Sequence, residues 1–203
     1  LCNALEPRLA VYFSSASSGL RVLLTPALLQ QLKADYEAAA AVCLKVGTSC
    51  KELRKARIAS WHGEDLSAAD LATLATLGSM LPALEVLTIC QVSFATGPGL
   101  QRLTEGLGVG ALPAVTHLGF AGMRVGDAGA SALAAALGRG ALPRLKMLNL
   151  NNAAIGDAGL VALAPALRRL PALEELELQG NPFGDEGLAA LVAPPPPAGA
   201  LPP

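Results

Sequence analysis

Histidine occurs only twice in this chain of 203 residues, at His62 and His117. That scarcity removes the commonest general base from most of the molecule, and no Ser-His-Asp set can be placed. The four cysteines, Cys2, Cys43, Cys50 and Cys90, show no CxxC spacing, and with so few histidines they do not spell a zinc site. They read as reduced thiols of an intracellular, cytoplasmic protein rather than as a disulfide framework. The net charge of −1 gives no general attraction to nucleic acid or to an anionic membrane. A membrane-spanning run is lacking as well. The longest uncharged stretch, Gly106 to Met123, is interrupted by five glycines, Pro113 and His117.

What the chain has instead is leucine and alanine at fixed intervals, which accounts for a hydrophobic share of 52% and a mean hydropathy of +0.46. The stretch from Leu142 to Arg169 shows the unit. Leu145, Leu148 and Leu150 are spaced LxxLxL with Lys146, Asn149 and Asn151 between them, an alternation that predicts a strand with one buried face. From Ile155 the period changes: Leu160, Leu163 and Leu167 fall three or four apart, the spacing of one helix face. Asp157 stands where an N-cap carboxylate would accept from the first free N–H groups of that helix.

Other stretches copy this unit, at Leu81 (LPALEVLTI), Leu112 (LPAVTHLGF) and Leu170 (LPALEELEL), with a weaker copy at Cys50 (CKELRKARI) and the same register at Leu201. The offsets between starts are 31, 31, 30, 28 and 31 residues. Gly-Asp-x-Gly recurs at Gly126, Gly156 and Gly184. A fixed period of this length, with strand and helix alternating, signals a solenoid. LPALEELELQGNPFGDEGLAAL, Leu170 to Leu191, resembles a leucine-rich repeat of the ribonuclease-inhibitor-like type, and the likeness extends over about Cys50 to Leu201. The units depart from that pattern at Ala56, which replaces a leucine. They depart also at Ala153, Met123, Val92 and Trp61, which stand where the unit of Asn181 has asparagine.

The resemblance implies an α/β horseshoe. Strands stack about 4.8 Å apart and helices roughly 8–10 Å apart, so parallel strands line the concave side and helices fan over the convex one. Five strand rows are expected at Leu53, Leu84, Val115, Leu145 and Leu173. Helices are expected near Ser67–Leu77, Gly99–Gly106, Asp127–Leu137, Asp157–Leu167 and Asp185–Val192. Pro165 should shorten or bend its helix.

Residues 1–49 lack the repeat and read as a helical N-terminal cap, with residues 50–193 as the array and 194–203 as a proline-rich tail or the start of a further unit. A short helix from Pro7 to Phe13 and a serine-rich link at Ser14 to Ser18 come first. Thr25-Pro26 then reads as an N-cap followed by proline at the first helical position. Leu28, Leu29, Leu32, Tyr36, Ala40 and Cys43 share a stripe of this helix, and Gly47 ends it. Leu5 to Leu32 resembles the latter part of an F-box. The first residue is Leu, no basic-then-apolar leader is visible, and the chain stops at a repeat start, as a fragment of a longer array would.

Several motifs invite chemistry and are better explained by architecture. The Gly-Asp-x-Gly carboxylates recur once per helix start, as caps do and metal ligands need not. Gly106-Leu-Gly108-Val-Gly110 follows a helix and lacks the strand–loop–helix context of a phosphate loop. Cys90 and His117 fall four residues out of register on adjacent rows, on the order of 13 Å apart, too far for a catalytic dyad. No cofactor and no metal are implied. The poly-proline run from Pro194 to Pro197 lacks a flanking cation and reads as a linker.

The remaining feature is the outward face of the strand rows: Lys55, Arg57, Ala59; Val86, Thr88, Cys90; His117, Gly119, Ala121; Met147, Asn149, Asn151; Glu175, Glu177, Gln179. Read this way it runs from basic to acidic. The chain therefore reads as a non-enzymatic module that binds a protein partner on its concave face, through Lys55, Arg57, Thr88, His117, Met147, Asn149, Asn151, Glu175 and Glu177. An F-box-type substrate adaptor of a ubiquitin ligase is the alternative, and a GTPase activator with repeats of this type a more distant one.

Overall fold

A computed structural model describes residues 25–62, 66–78, 81–90 and 97–193. The elements run α1 (Pro26–Lys45), α2 (Cys50–Lys55), β1 (Ile58–His62), α3 (Ala68–Leu77), β2 (Val86–Cys90), α4 (Gly97–Gly106), β3 (His117–Gly119), α5 (Gly126–Gly138), β4 (Met147–Asn149), α6 (Asp157–Leu167), β5 (Glu175–Glu177) and α7 (Asp185–Val192). The five strands form one sheet in the order β1-β2-β3-β4-β5, and every pair is parallel. A parallel pair requires a crossover, and one helix lies in each.

The LxxLxL leucines make the core. Leu87 and Ile89, Leu118 and Phe120, and Leu148 and Leu150 are buried in successive strands or just after them. The register stacks Ala59, Leu87, Leu118, Leu148 and Leu176 in one row across the sheet. The apolar stripes of the helices close over this face: Leu71 and Leu74, Leu100 and Leu103, Leu133 and Leu137, Leu160 and Leu163 are all buried in one continuous cluster. Each burial of a leucine side chain is worth roughly 1.5–3 kcal/mol, and the helices of successive units pack on one another along the array. Leu112 and Leu142, at two of the repeat starts, take left-handed backbone angles (φ 52° and 55°). That strain, about 1–3 kcal/mol each, is held by side chains that are wholly buried.

Two sequence expectations are corrected at the first unit. CKELRKARI does not open with a strand: Cys50–Lys55 is helix α2, because Ser49 and Glu52 form a capping box, each side chain accepting from the other's backbone N–H. The first strand begins at Ile58, and its partner in the sheet is Val86, an offset of 28 residues rather than the 31 expected. The displacement is three, an odd number, so every side chain of the row changes face. Ala59, expected outward, is buried, and Ile58 is exposed.

The Gly-Asp-x-Gly motif is corrected in direction. The N-caps of α6 and α7 are Gly156 and Gly184, with no side-chain cap bond. Asp127 Oδ1 instead accepts from the N–H groups of Gly156 (2.7 Å) and Gly159 (3.0 Å) in the following unit. Asp157 Oδ1 accepts from those of Gly184 (2.8 Å) and Gly187 (2.7 Å). Each aspartate thus caps its neighbour's helix, and the second glycine of the motif makes room for it. A Cβ at Gly159 would lie 2.6 Å from Asp127 Oδ1, and one at Gly187 would lie 2.7 Å from Asp157 Oδ1.

Asn181 ties the last two units in a different way. Its Oδ1 accepts from Ala153 N (3.1 Å) and Ile155 N (3.0 Å), and its Nδ2 donates to Leu150 O and Leu178 O, both at 2.8 Å. Pro165 does not shorten α6, which runs on to Leu167. Thr25 caps α1 by accepting from Leu28 N, with Pro26 in the first turn, as its sequence predicts. Along α1, Val42 and Cys43 are buried and Leu28 is 40% exposed, so only the later part of the stripe reaches the core. α1 is joined to α3 by Lys45 Nζ donating to Asp70 Oδ2 at 2.6 Å. Pro7–Phe13, the serine link, most of the F-box-like stretch and the proline run lie outside the described residues.

Candidate functional site

The face of the sheet opposite the helices carries Ile58, Ser60 and His62 on β1, Val86, Thr88 and Cys90 on β2, His117 and Gly119 on β3, Met147 and Asn149 on β4, and Glu175 and Glu177 on β5. They are aligned by the register Ile58–Val86–His117–Met147–Glu175 and Ser60–Thr88–Gly119–Asn149–Glu177. The face is shaped by small side chains at its middle. The Thr88 methyl carbon would stand 3.1 Å from a Cβ placed on Gly119, so Thr88 folds over the glycine, while His117 beside it remains exposed.

Of the residues expected on this face, the structure brings together Thr88, His117, Met147, Asn149, Glu175 and Glu177, with Asn151 just beyond β4. It removes Lys55, which lies at the end of α2, and Arg57, which precedes β1. Arg57 is engaged elsewhere: its Nε and a terminal nitrogen donate to the two Glu85 oxygens at 2.9 and 2.7 Å. The Glu85 carboxylate holds the Arg57 guanidinium above its ordinary pKa, and Arg57 holds Glu85 below the usual carboxylate range. Lys146 likewise donates to Glu174 at 2.8 Å. These two ion pairs lie on a row beside the sheet face, where the backbone of Arg57, Glu85, Thr116 and Lys146 accepts pairs of N–H bonds from the next unit. The expected gradient from basic to acidic is therefore absent: its basic end is helical or paired, and Ser60 and His62 stand in its place.

The acidic end is organised. Asn149 Nδ2 and Asn151 Nδ2 both donate to Glu177 Oε2, the latter at 2.8 Å. Asn149 Oδ1 accepts from Asn151 N at 3.0 Å and Asn151 Oδ1 from Gln179 N at 2.7 Å. Two amides and one carboxylate are thereby locked in orientation, with Glu175 exposed beside them.

His62, rather than His117, is the register partner of Cys90. Burial pushes the Cys90 thiol up, against a smaller opposing effect of a backbone hydrogen bond from Ala121, so the thiol is held neutral. His62 Nδ1 lies 3.4 Å from Ser60 Oγ. A neutral thiol and an imidazole engaged with serine do not form an activated nucleophile. Among the described residues no group of three or more His, Cys, Asp or Glu side chains is arranged to hold a metal ion. Among those same residues, no helix is long and apolar enough to cross a membrane.

Residues 143–164 and 170–192 match the family described as leucine-rich repeat. These two segments are similar to leucine-rich repeats. They cover β4 with α6 and β5 with α7, the units joined by Asp157 and Asn181. A solved structure similar to this chain, that of the Leiomodin-1 actin-binding site 2 (ABS2), covers 61% of this chain and 69% of its own, at 22% sequence identity and a TM-score of 0.49. No curated protein matches this chain in sequence.

Sequence reasoning missed Ser60 and His62 on the open face. The signal was present in two places: Ser49-x-x-Glu52 is a capping-box pattern, and Ile58-Ala59-Ser60-Trp61-His62 alternates as a strand does. It placed Asn149, Asn151 and Glu177 on adjacent rows of this face but missed their network, because spacing fixes the row and not the rotamers that bring two amides to one carboxylate.

Proposed function

We propose that the protein is a protein–protein interaction module that binds its partner on the open face of the sheet. In this reading the array is a ribonuclease-inhibitor-like horseshoe, the open face is its concave side, and α1 with α2 caps its first strand. The residues assigned to the partner are Thr88, His117, Met147, Asn149, Asn151, Glu175 and Glu177, with Ser60 and His62 in place of Lys55 and Arg57. Leucine-rich repeats favour binding over catalysis, and the neutral Cys90 thiol fits that.

The observation that carries the reading is the Asn149–Asn151–Glu177 network. It is a polar surface whose side-chain freedom is already spent within the fold, so a partner docking there meets groups that need little further ordering. A purely solvated face has no requirement for such rigidity. A photo-reactive side chain placed at Met147 tests the proposal. It should cross-link a protein from native lysate that the same group at Val161, exposed on the helical side, does not capture. Equal capture from both positions would remove the open face as the site.

A further inference from the structure

The junction of α1 and α2 carries a second feature, independent of the open face. A groove of about 440 Å³ is lined there by Tyr36, Ala40, Cys43, Leu44, Thr48, Ser49, Cys50 and Lys51. Two of its walls are thiols. Cys43 lies in the last turn of α1 and Cys50 is the first residue of α2, with six residues between them. The chain between them folds back tightly. Gly47 takes a positive φ of 67°, and Thr48 N donates to Cys43 O at 2.9 Å, returning the backbone to Cys43 just before Cys50. Both cysteines are free. Cys43 is 1% and Cys50 8% exposed.

We propose that Cys43 and Cys50 are a modification site: a dithiol that a low-molecular-weight disulfide oxidises to an intramolecular disulfide, bolting α1 to α2. The Cys50 thiolate, the more accessible of the two, attacks one sulfur of the reagent and expels the other as a thiolate. The Cys43 thiolate then attacks Cys50 Sγ, forming the Cys43–Cys50 bond and expelling the second reagent thiolate. Two protein protons leave and the reagent disulfide takes two electrons, so the protein dithiol and one disulfide become the protein disulfide and two thiols. The side chains already interact. The Cys43 thiol is pushed up to about 12, first by burial and then by its hydrogen bond and charge interaction with Cys50. A thiol raised in this way is seldom ionised, so the closing attack by Cys43 should be slow.

α1 is the element this bond would secure. It meets α3 through Lys45 and Asp70, only two residues beyond Cys43, so the disulfide would fix the first helix against both of its neighbours.

The experiment is incubation of the full chain with excess glutathione disulfide, followed by intact-mass measurement, peptide mapping and thermal unfolding. The expected product has lost about 2 Da, contains a Cys43–Cys50 linked peptide, and has a raised Tm that returns on reduction. In Cys43→Ser the second step is impossible, so Cys50 should instead accumulate a stable mixed disulfide; circular dichroism verifies its fold, and Cys43→Ala serves if the serine is not tolerated. The proposal is overturned if Cys43 remains open to alkylation after oxidation, if the mapped bond uses Cys2 or Cys90, or if the wild type stops at the mixed disulfide.

Discussion

Asp157→Ala tests the way successive units are joined. Asp157 Oδ1 takes the N–H groups of both Gly184 and Gly187. Gly184 is exposed and can turn to water, so its loss resembles that of an ordinary cap, about 1 kcal/mol. Gly187 is buried, and an N–H left there without an acceptor costs about 1–3 kcal/mol. The expected destabilisation is about 3 kcal/mol, a large part of a typical total of about 5–15 kcal/mol. With an m-value near 2 kcal/mol/M, the urea midpoint should fall by about 1.5 M. Asp157→Asn keeps an acceptor oxygen but not the charge, and should recover about half of the loss. Amide hydrogen exchange locates the effect: in Asp157→Ala, Gly184 and Gly187 should exchange faster, and in Asp127→Ala, Gly156 and Gly159. Faster exchange confined to the first turn of the mutated residue's own helix, with the next helix unaffected, would refute the cross-unit cap.

Three further outcomes follow from the same contacts. Gly187→Ala places a Cβ 2.7 Å from Asp157 Oδ1 and 3.2 Å from Asp157 Cα, and should cost about 1–3 kcal/mol in urea unfolding, whereas a tolerated alanine would show that the carboxylate has room to retreat. Asn181→Ala removes three hydrogen bonds between units and one within its own, and should cost about 2–4 kcal/mol, seen as a lowered Tm. Asp70 is raised by burial but lowered by more through Lys45 and Ser67, leaving it below the usual value; its contribution is therefore complete at neutral pH and is lost as pH falls below about 4. Asp70→Asn should cost about 1–3 kcal/mol at pH 7 and show a flatter acid limb than the wild type, and identical limbs would count against the role given to this carboxylate.

Much of the fold was legible because two periods coexist in each unit. Leu148 and Leu150 announce a strand, Leu160, Leu163 and Leu167 a helix, and the bounds of α6 and α7 fall where that change of period puts them. The first unit was not legible by alignment alone, since Leu53 copies a strand leucine while Ser49 and Glu52 specify a helix start, and the local capping box prevailed. The direction of the Asp157 cap could not be read from one motif: the same Gly-Asp-x-Gly spacing serves a carboxylate bonding its own helix or the next. Only the packing distance between adjacent helices distinguishes them. Pro165 was expected to disturb α6, yet the carbonyl it leaves without a donor belongs to Val161, which is 44% exposed and open to water. The open face was legible in rows two to five. Its charge pattern was not, because the pairing of Arg57 with Glu85 depends on the 28-residue offset of the first strand.

If the open sheet face holds a protein partner, its exposed side chains decide what is captured. The most direct measurement is capture from native lysate by the wild type, by a variant carrying His117→Ala, Met147→Ala and Glu175→Lys, and by a helical-side control, Arg102→Glu, each shown to be folded by circular dichroism. One partner should be retained by the wild type and the control and lost, at least tenfold, by the face variant. Retention of that partner by the face variant would contradict binding at this face.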